Sequence, residues 1–210
     1  DSEDGIDTSY ELTIPRLFRD YKSEDFFTNE QDASLKNLLA DNGFKGFSTN
    51  GSWLELHGLP VQLCIEFGSL PNYIYEGDIA KYNNKYYFLD STGIIDSENT
   101  LEALIANTSV KSKLQKELNI VLAGTYNGTY SGGDTGIWSI VVNSNGSIIG
   151  TTTSDNYSNI YSVNGTLNGN IATLTAASGS VLTATVSSYG IVNGTWTNTG
   201  LSGTLTGAKD

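Results

Sequence analysis

Five tyrosines crowd the stretch NYIYEGDIAKYNNKYYFLD: Tyr73, Tyr75, Tyr82, Tyr86 and Tyr87. A tyrosine ring offers rigid apolar area with a polar tip, so exposed rings beside Asn and acidic groups suit contact with a protein or a glycan. Alternate residues of a hairpin face opposite sides, which turns Tyr86 and Phe88 toward a core and Tyr87 outward. Tyr73, Tyr75 and Tyr87 are therefore the candidate partner-binding residues. Glu55, Glu66, Glu76 and Asp78 fall in the same region. Two such carboxyls facing each other across a cleft would make a glycosidase-type hydrolase centred on Glu66, Glu76 and Asp78. In an already acidic segment, solvated surface charge is the ordinary expectation.

Other reactive side chains are sparse. His57 is the one histidine and closes a strand-like run before Gly58, where a surface histidine is expected. Cys64 is the one cysteine, so no disulfide framework exists, and a small half-buried filler is its expected role. NSNG at 143–146 lacks the carboxylates of a calcium loop, and GGDTG at 132–136 lacks the lysine and helix of a phosphate loop. Both read as hairpin turns. Asn-x-Ser/Thr triplets are frequent, as the abundance of Asn and Thr dictates. No catalytic group, cofactor or metal is expected.

The elements holding these residues fall into two parts. TNEQDASLKNLLADNG carries a capping-box pair, Thr28 and Gln31, an apolar stripe of Leu35, Leu38 and Leu39, and a stop at Gly43. Three strand-like runs follow. VQLCIEF places Val61, Leu63, Ile65 and Phe67 on one face and Gln62, Cys64 and Glu66 on the other, and AKYNNKYYFLD turns at Asn83-Asn84. Ser97 is a candidate cap for a helix with Leu101, Leu104 and Ile105. Asn107 or Thr108 opens another helix with Val110, Leu114 and Leu118, its lysines Lys111, Lys113 and Lys116 placed near the end. Residues 10–120 thus read as an α+β domain, preceded by an acidic tether over 1–9.

Charge marks the boundary. Residues 1–120 hold 20 acidic and 10 basic side chains, whereas 121–210 hold 3 and 1, with Gly, Thr, Ser and Asn dense instead. The net charge of −12 excludes nucleic acid and anionic membrane surfaces as main partners. Turn signals cut the second part into eight β-rich runs, 121–130, 136–143, 147–153, 160–167, 171–176, 181–186, 191–197 and 201–206. Tight hairpins make neighbours pair, and eight strands suffice to close an antiparallel up-and-down β-barrel. The whole is a β-dominated, two-domain protein. In this register Trp138, Ile140, Val142, Tyr161, Val163, Leu167, Leu182, Val192, Trp196, Leu201 and Leu205 point inward. So do the glycines of the recurring Gly-Thr pairs, at 124, 150, 165, 194 and 203, which relieve crowding. The interior is then full and no ligand cavity is expected; an open barrel mouth would favour a small-ligand carrier.

GTY at 124–126, GIWSIVVNSNGSIIGTTTS at 136–154 and GTWTN at 194–198 resemble the hairpin pattern of avidin-like and lipocalin-like meander barrels. They are also similar to the glycine-rich barrel modules of bacterial surface lipoproteins, the transferrin-binding type included. The resemblance covers 121–210 and implies an eight-stranded barrel. Trp138 and Trp196 are fewer tryptophans than an avidin-type biotin site holds, so biotin binding is not implied. A chain starting without methionine on an acidic tether fits a processed lipoprotein. The resulting expectation is a non-enzymatic bacterial protein, exported and lipid-anchored at the cell envelope, that binds a protein or glycan partner. Its membrane contact would run only through an anchor outside the sequence. A carrier using the barrel interior and a hydrolase are the alternatives.

Overall fold

The computed structural model describes residues 27–45, 47–56, 59–67, 74–90 and 92–210. The expected tether at 1–9, together with His57 and Tyr73, lies outside them.

Helix α1 (Asn29–Asp41) opens with the capping box read from the sequence: Gln31 N–H donates to Thr28 Oγ1 and Thr28 N–H to Gln31 Oε1. Leu35 and Leu39 are fully buried, and the helix ends before Gly43, whose φ of +89° suits glycine alone. Five strands then form an antiparallel meander, β1 (Phe47–Leu56), β2 (Leu59–Phe67), β3 (Ile74–Tyr82), β4 (Lys85–Asp90) and β5 (Gly93–Glu98). Asn83 and Asn84 turn the β3–β4 hairpin with φ of 48° and 59°, the left-handed pair that a two-residue hairpin demands. Helices α2 (Leu101–Ala106) and α3 (Thr108–Leu122) pack with α1 on one face of this sheet.

Three expectations need correction here. Register shifts at Val61/Leu63 and Ile65/Glu66 break the alternation of β2. Leu63 and Ile65 join the helix-side core, while Val61 packs with Leu59, Ala80 and Leu89 on the opposite face. The cap of α2 is Thr100, not Ser97, because Ser97 is still in β5 and pairs with Tyr87. Asn107 does cap α3, accepting from Ser109 N–H. That helix runs on to Leu122, so its lysines sit well before its end and no basic residue occupies its last turn.

The second part is a closed eight-stranded antiparallel barrel: β6 (Gly124–Gly132), β7 (Gly136–Val142), β8 (Ser147–Ser154), β9 (Ile160–Asn168), β10 (Ile171–Ala176), β11 (Val181–Val186), β12 (Ile191–Asn198) and β13 (Leu201–Lys209). Each strand pairs with its neighbours, and β13 returns to β6 through seven residue pairs from Gly203↔Gly132 to Lys209↔Tyr126. Closure leaves no free edge. The alternation holds throughout: Trp138, Ile140, Val142, Val163, Leu167, Leu182, Val192, Trp196 and Leu205 are buried, and the threonines after the inward glycines are exposed. Leu201 departs from this, being 39% exposed at the end of its strand.

The inward glycines are enforced by close approach. A Cβ on Gly203 would lie 1.8 Å from the Ser131 carbonyl oxygen and 2.5 Å from Trp196 Nε1. At Gly124 the reason is instead backbone conformation, a φ of +147°. The interior is apolar, and the exterior mixes Thr and Asn with exposed aliphatic side chains such as Ile137, Ile149 and Ile160. Among the described residues no helix is long and apolar enough to cross a membrane.

Candidate functional site

Of the sequence-derived partner-binding residues, Tyr73 lies outside the described residues, and Tyr75 and Tyr87 fall on neighbouring strands. Tyr75 lies on β3, opposite Glu66 in the backbone register. Tyr87 lies on β4 opposite Ala80 and is half-buried rather than exposed. With Tyr82 it packs on the small cluster of Leu59, Val61, Ala80 and Leu89. Tyr86 faces the helices, where Gln31 Nε2 donates to its hydroxyl. Of the carboxylates, Asp78 is 3% exposed, and the equally buried Cys64 thiol lies 3.3 Å from its Oδ1 as donor. Asp78 is thus enclosed in the sheet's packing. No cluster of three or more metal-ligating side chains occurs among the described residues.

The two ends of the barrel differ sharply. In an up-and-down meander alternate turns must gather at the same end. The turns at 143–146, 169–170 and 187–190 gather at the proximal end, where α3 arrives. Gly169 N–H donates to Gln115 Oε1 of the helix. The buried Tyr126 hydroxyl donates to the Leu122 carbonyl at 2.8 Å, and Lys209 Nζ donates to the Val121 carbonyl at 3.0 Å. The cation missing from the last turn of α3 is therefore supplied by the final barrel strand. Tyr126 belongs to one continuous apolar cluster that includes both the helix-side core and the barrel core. Beside this junction a groove of about 640 Å³ runs between α3 and the turns, lined by Asn42, Phe44, Lys111, Gln115 and Asn119 among others.

The turns at 133–135, 155–159, 177–180 and 199–200 gather at the distal end and leave a cup of about 80 Å³. Its floor is Trp196, Leu182 and Ala176, and its wall is Tyr130 and Tyr161. Tyr130 and Trp196 meet edge to face, with ring centroids 5.8 Å apart. Tyr157 stands on the rim at 63% exposure, and Ser178, Ser180 and Asn198 add hydroxyl and amide groups. Below the floor the barrel holds an apolar void of about 20 Å³.

One carboxylate is built into the cup. Asp134 is 9% exposed, with the Tyr130 hydroxyl donating to its Oδ2 at 3.1 Å and Thr135 N–H to its Oδ1 at 2.8 Å. Burial alone would raise this carboxyl, but donors from Ser154, Thr135, Tyr130 and Asn156 outweigh it and hold the group below its usual range. The side chain is ionised at neutral pH. Tyr130 responds in the opposite sense, pushed up to about 12 by burial and then by the adjacent Asp134 charge.

Sequence reasoning placed Trp196 and Tyr161 inside the barrel but took GGDTG for a plain turn and passed over Tyr157. The missed signal is parity. Once eight strands are set, every second turn shares an end, which brings Asp134, Tyr157, Ser178 and Asn198 together.

No family model matches this chain, and a search of curated proteins finds no significant relative.

Proposed function

We propose that this protein is a non-enzymatic binding protein that captures a macromolecular partner through a group inserted into the distal mouth of its barrel. One observation carries the reading: among the described residues the distal mouth is open and aromatic, whereas α3 engages the proximal end through Gln115, Val121 and Leu122 and side chains fill the interior. The cup's volume of about 80 Å³ is far below the roughly 300 Å³ at which a site starts to enclose a whole small molecule. It suits one protruding group of something larger. A carrier using the barrel interior is less well supported, since the void beneath the floor measures about 20 Å³. Burial of Asp78 weighs likewise against a hydrolase in the first domain.

The proposal includes export and a lipid anchor at a bacterial cell envelope, on the likeness of the barrel's hairpins to surface-lipoprotein modules. Cell fractionation with an antibody to the chain tests that part, and recovery in the cytosol would remove it. The mouth is tested by sedimenting the full chain with isolated envelopes. Ser180→Trp, which fills the cup, and Tyr157→Ala, which strips its rim, are expected to reduce binding. Tyr87→Ala, in the other domain, is expected to leave it. Equal binding by all three variants would overturn the reading, and loss with Tyr87→Ala alone would return the site to the tyrosine hairpin.

A further inference from the structure

The charges of the barrel are few and unevenly placed. Its acidic residues are Asp134, Asp155 and Asp210, and its single basic residue is Lys209. Lys209 and Asp210 sit at the proximal end, where Asp210 Oδ1 accepts from Asn127 and Lys209 reaches α3. Asp134 and Asp155 both sit on distal turns and are linked through Thr135, whose N–H donates to Asp134 and whose hydroxyl donates to Asp155. Among the described residues the distal mouth therefore has the Asp134 carboxylate in its lining and Asp155 on the adjacent turn, no cation, and an aromatic lining of Tyr130, Tyr157, Tyr161 and Trp196.

From this arrangement we infer that the group received by the mouth is a substituted ammonium, such as a lysine or methyl-lysine side chain or a choline-type head. The inference rests on the distal mouth being the binding site. An ammonium is attracted to the faces of Trp and Tyr rings by their quadrupole. Nearby fixed carboxylates add Coulombic attraction, which gains strength where water is partly excluded. The net charge of −12 on the whole chain draws cations and repels anions at longer range. An anionic ligand would meet Asp134 with no Lys, Arg or His in the barrel's distal half to offset it. A neutral sugar would find the hydroxyls it needs, but would leave the Asp134 charge without a counter-charge. The Asp134 carboxylate is already held by several donors and keeps its shape when the mouth is empty, so a cation meets a preset field.

The test is an NMR titration of the full chain, following the backbone signals of Tyr157, Tyr161 and Asn198. The probes are choline chloride, N-acetyl-lysine methylamide, 3,3-dimethylbutan-1-ol and methyl glucoside. Choline and the lysine derivative are expected to give saturable shifts that weaken as salt is raised, and their relative strength shows which source of ammonium the mouth prefers. Dimethylbutanol has the shape of choline without its charge and is expected to bind at least about tenfold more weakly. Tyr157→Ala is expected to weaken choline roughly two- to fivefold, and Asp134→Asn to weaken it further. Should Asp134→Asn fail to fold, the salt series and the neutral isostere still decide the matter. Equal binding of dimethylbutanol, or binding of methyl glucoside without choline, would overturn the inference and leave the mouth as a site for neutral groups. Silence from all four probes while Ser180→Trp still abolishes envelope binding would also overturn it and leave the proposed function standing. Choline binding with envelope capture unchanged by Ser180→Trp would sustain the inference and remove the proposed function.

Discussion

The two ends of the barrel are made from the same material, short hairpin turns of Gly, Asn, Ser and Asp, yet they have opposite fates. At the proximal end the turns meet a helix whose C-terminal carbonyls need donors, and Tyr126, Lys209 and Gly169 are placed to engage it. At the distal end no other described element arrives, and the inward aromatic side chains line an open cup. The difference shows how one closed sheet divides its labour. An end that packs against the rest of the chain contributes stability, and an end left open is free to recognise something else. Substitutions at the two ends should separate accordingly.

The largest expected effect is proximal. Tyr126→Ala removes a fully buried ring and its bond to Leu122 and should cost about 3–5 kcal/mol in urea unfolding. It should also broaden the transition, as one contact between the helix-side core and the barrel core is lost. An unchanged single transition would show that the helix and barrel do not depend on that ring.

Next comes alkaline pH. Burial pushes Tyr126 up to about 12 from its ordinary 10.0, so the unfolded chain ionises first. Stability should hold below pH 10 and fall between about 10 and 12, by no more than roughly 3 kcal/mol from this group. Tyr130 at the distal end shifts in the same direction, and Tyr126→Phe should remove only the proximal share. Asp134 and Asp90 have the opposite sign. Burial would raise Asp90, but Thr92 and Lys113 hold it low. The stability contributed by both carboxylates is present above about pH 4 and should be lost as pH falls below that.

Lys209→Met is a smaller proximal change. It deletes an exposed ammonium capping the Val121 carbonyl and should cost less than about 1 kcal/mol. The smallest stability effect should be distal. Tyr157→Ala is expected to lie within about 0.5 kcal/mol of the parent in the same urea experiment, although it alters the rim of the proposed site. A large destabilisation there would mean that the rim is part of the packing, and the contrast between the ends would fail.

The barrel was legible in the sequence because two independent signals agree along it. Glycine and asparagine mark the turns, and period-two alternation marks the strands. The eight runs anticipated from 121 onward correspond to β6–β13, apart from the start of β6. There Val121 and Leu122 still belong to α3, because their side chains continue its stripe of Val110, Leu114 and Leu118. The first domain was harder to read, since local pattern there yields to pairing. The irregularities in β2 send Val61 and Leu63 to opposite faces, and a bulge inserts no residue type that announces it. The run GIIDSE was too short and too polar to stand out, and it forms β5 only because β4 lies beside it.

Tyr87 shows the same limitation at the level of the site. Its outward parity was right, but outward on this sheet means toward a second apolar cluster, so the ring is half-covered. The cup was invisible to any window of neighbouring residues. Asp134, Tyr157 and Ser178 come from three separate turns and Asn198 from the strand end before a fourth, and they share only the parity of their hairpins.

The pairing of β13 with β6 also sets an order of events. A chain emerging from the ribosome delivers β6 at the start of the barrel and β13 at its end, so the seam cannot close until synthesis of the domain is nearly complete. Until then β6 and the newest strand expose unpaired N–H and C=O groups, the condition that invites association with other chains. The seam joins strands distant in sequence, which slows closure. A stop codon that removed β13 would do more than shorten the protein: it would hold the barrel in that unsealed form, with an open edge at β6 and another at β12.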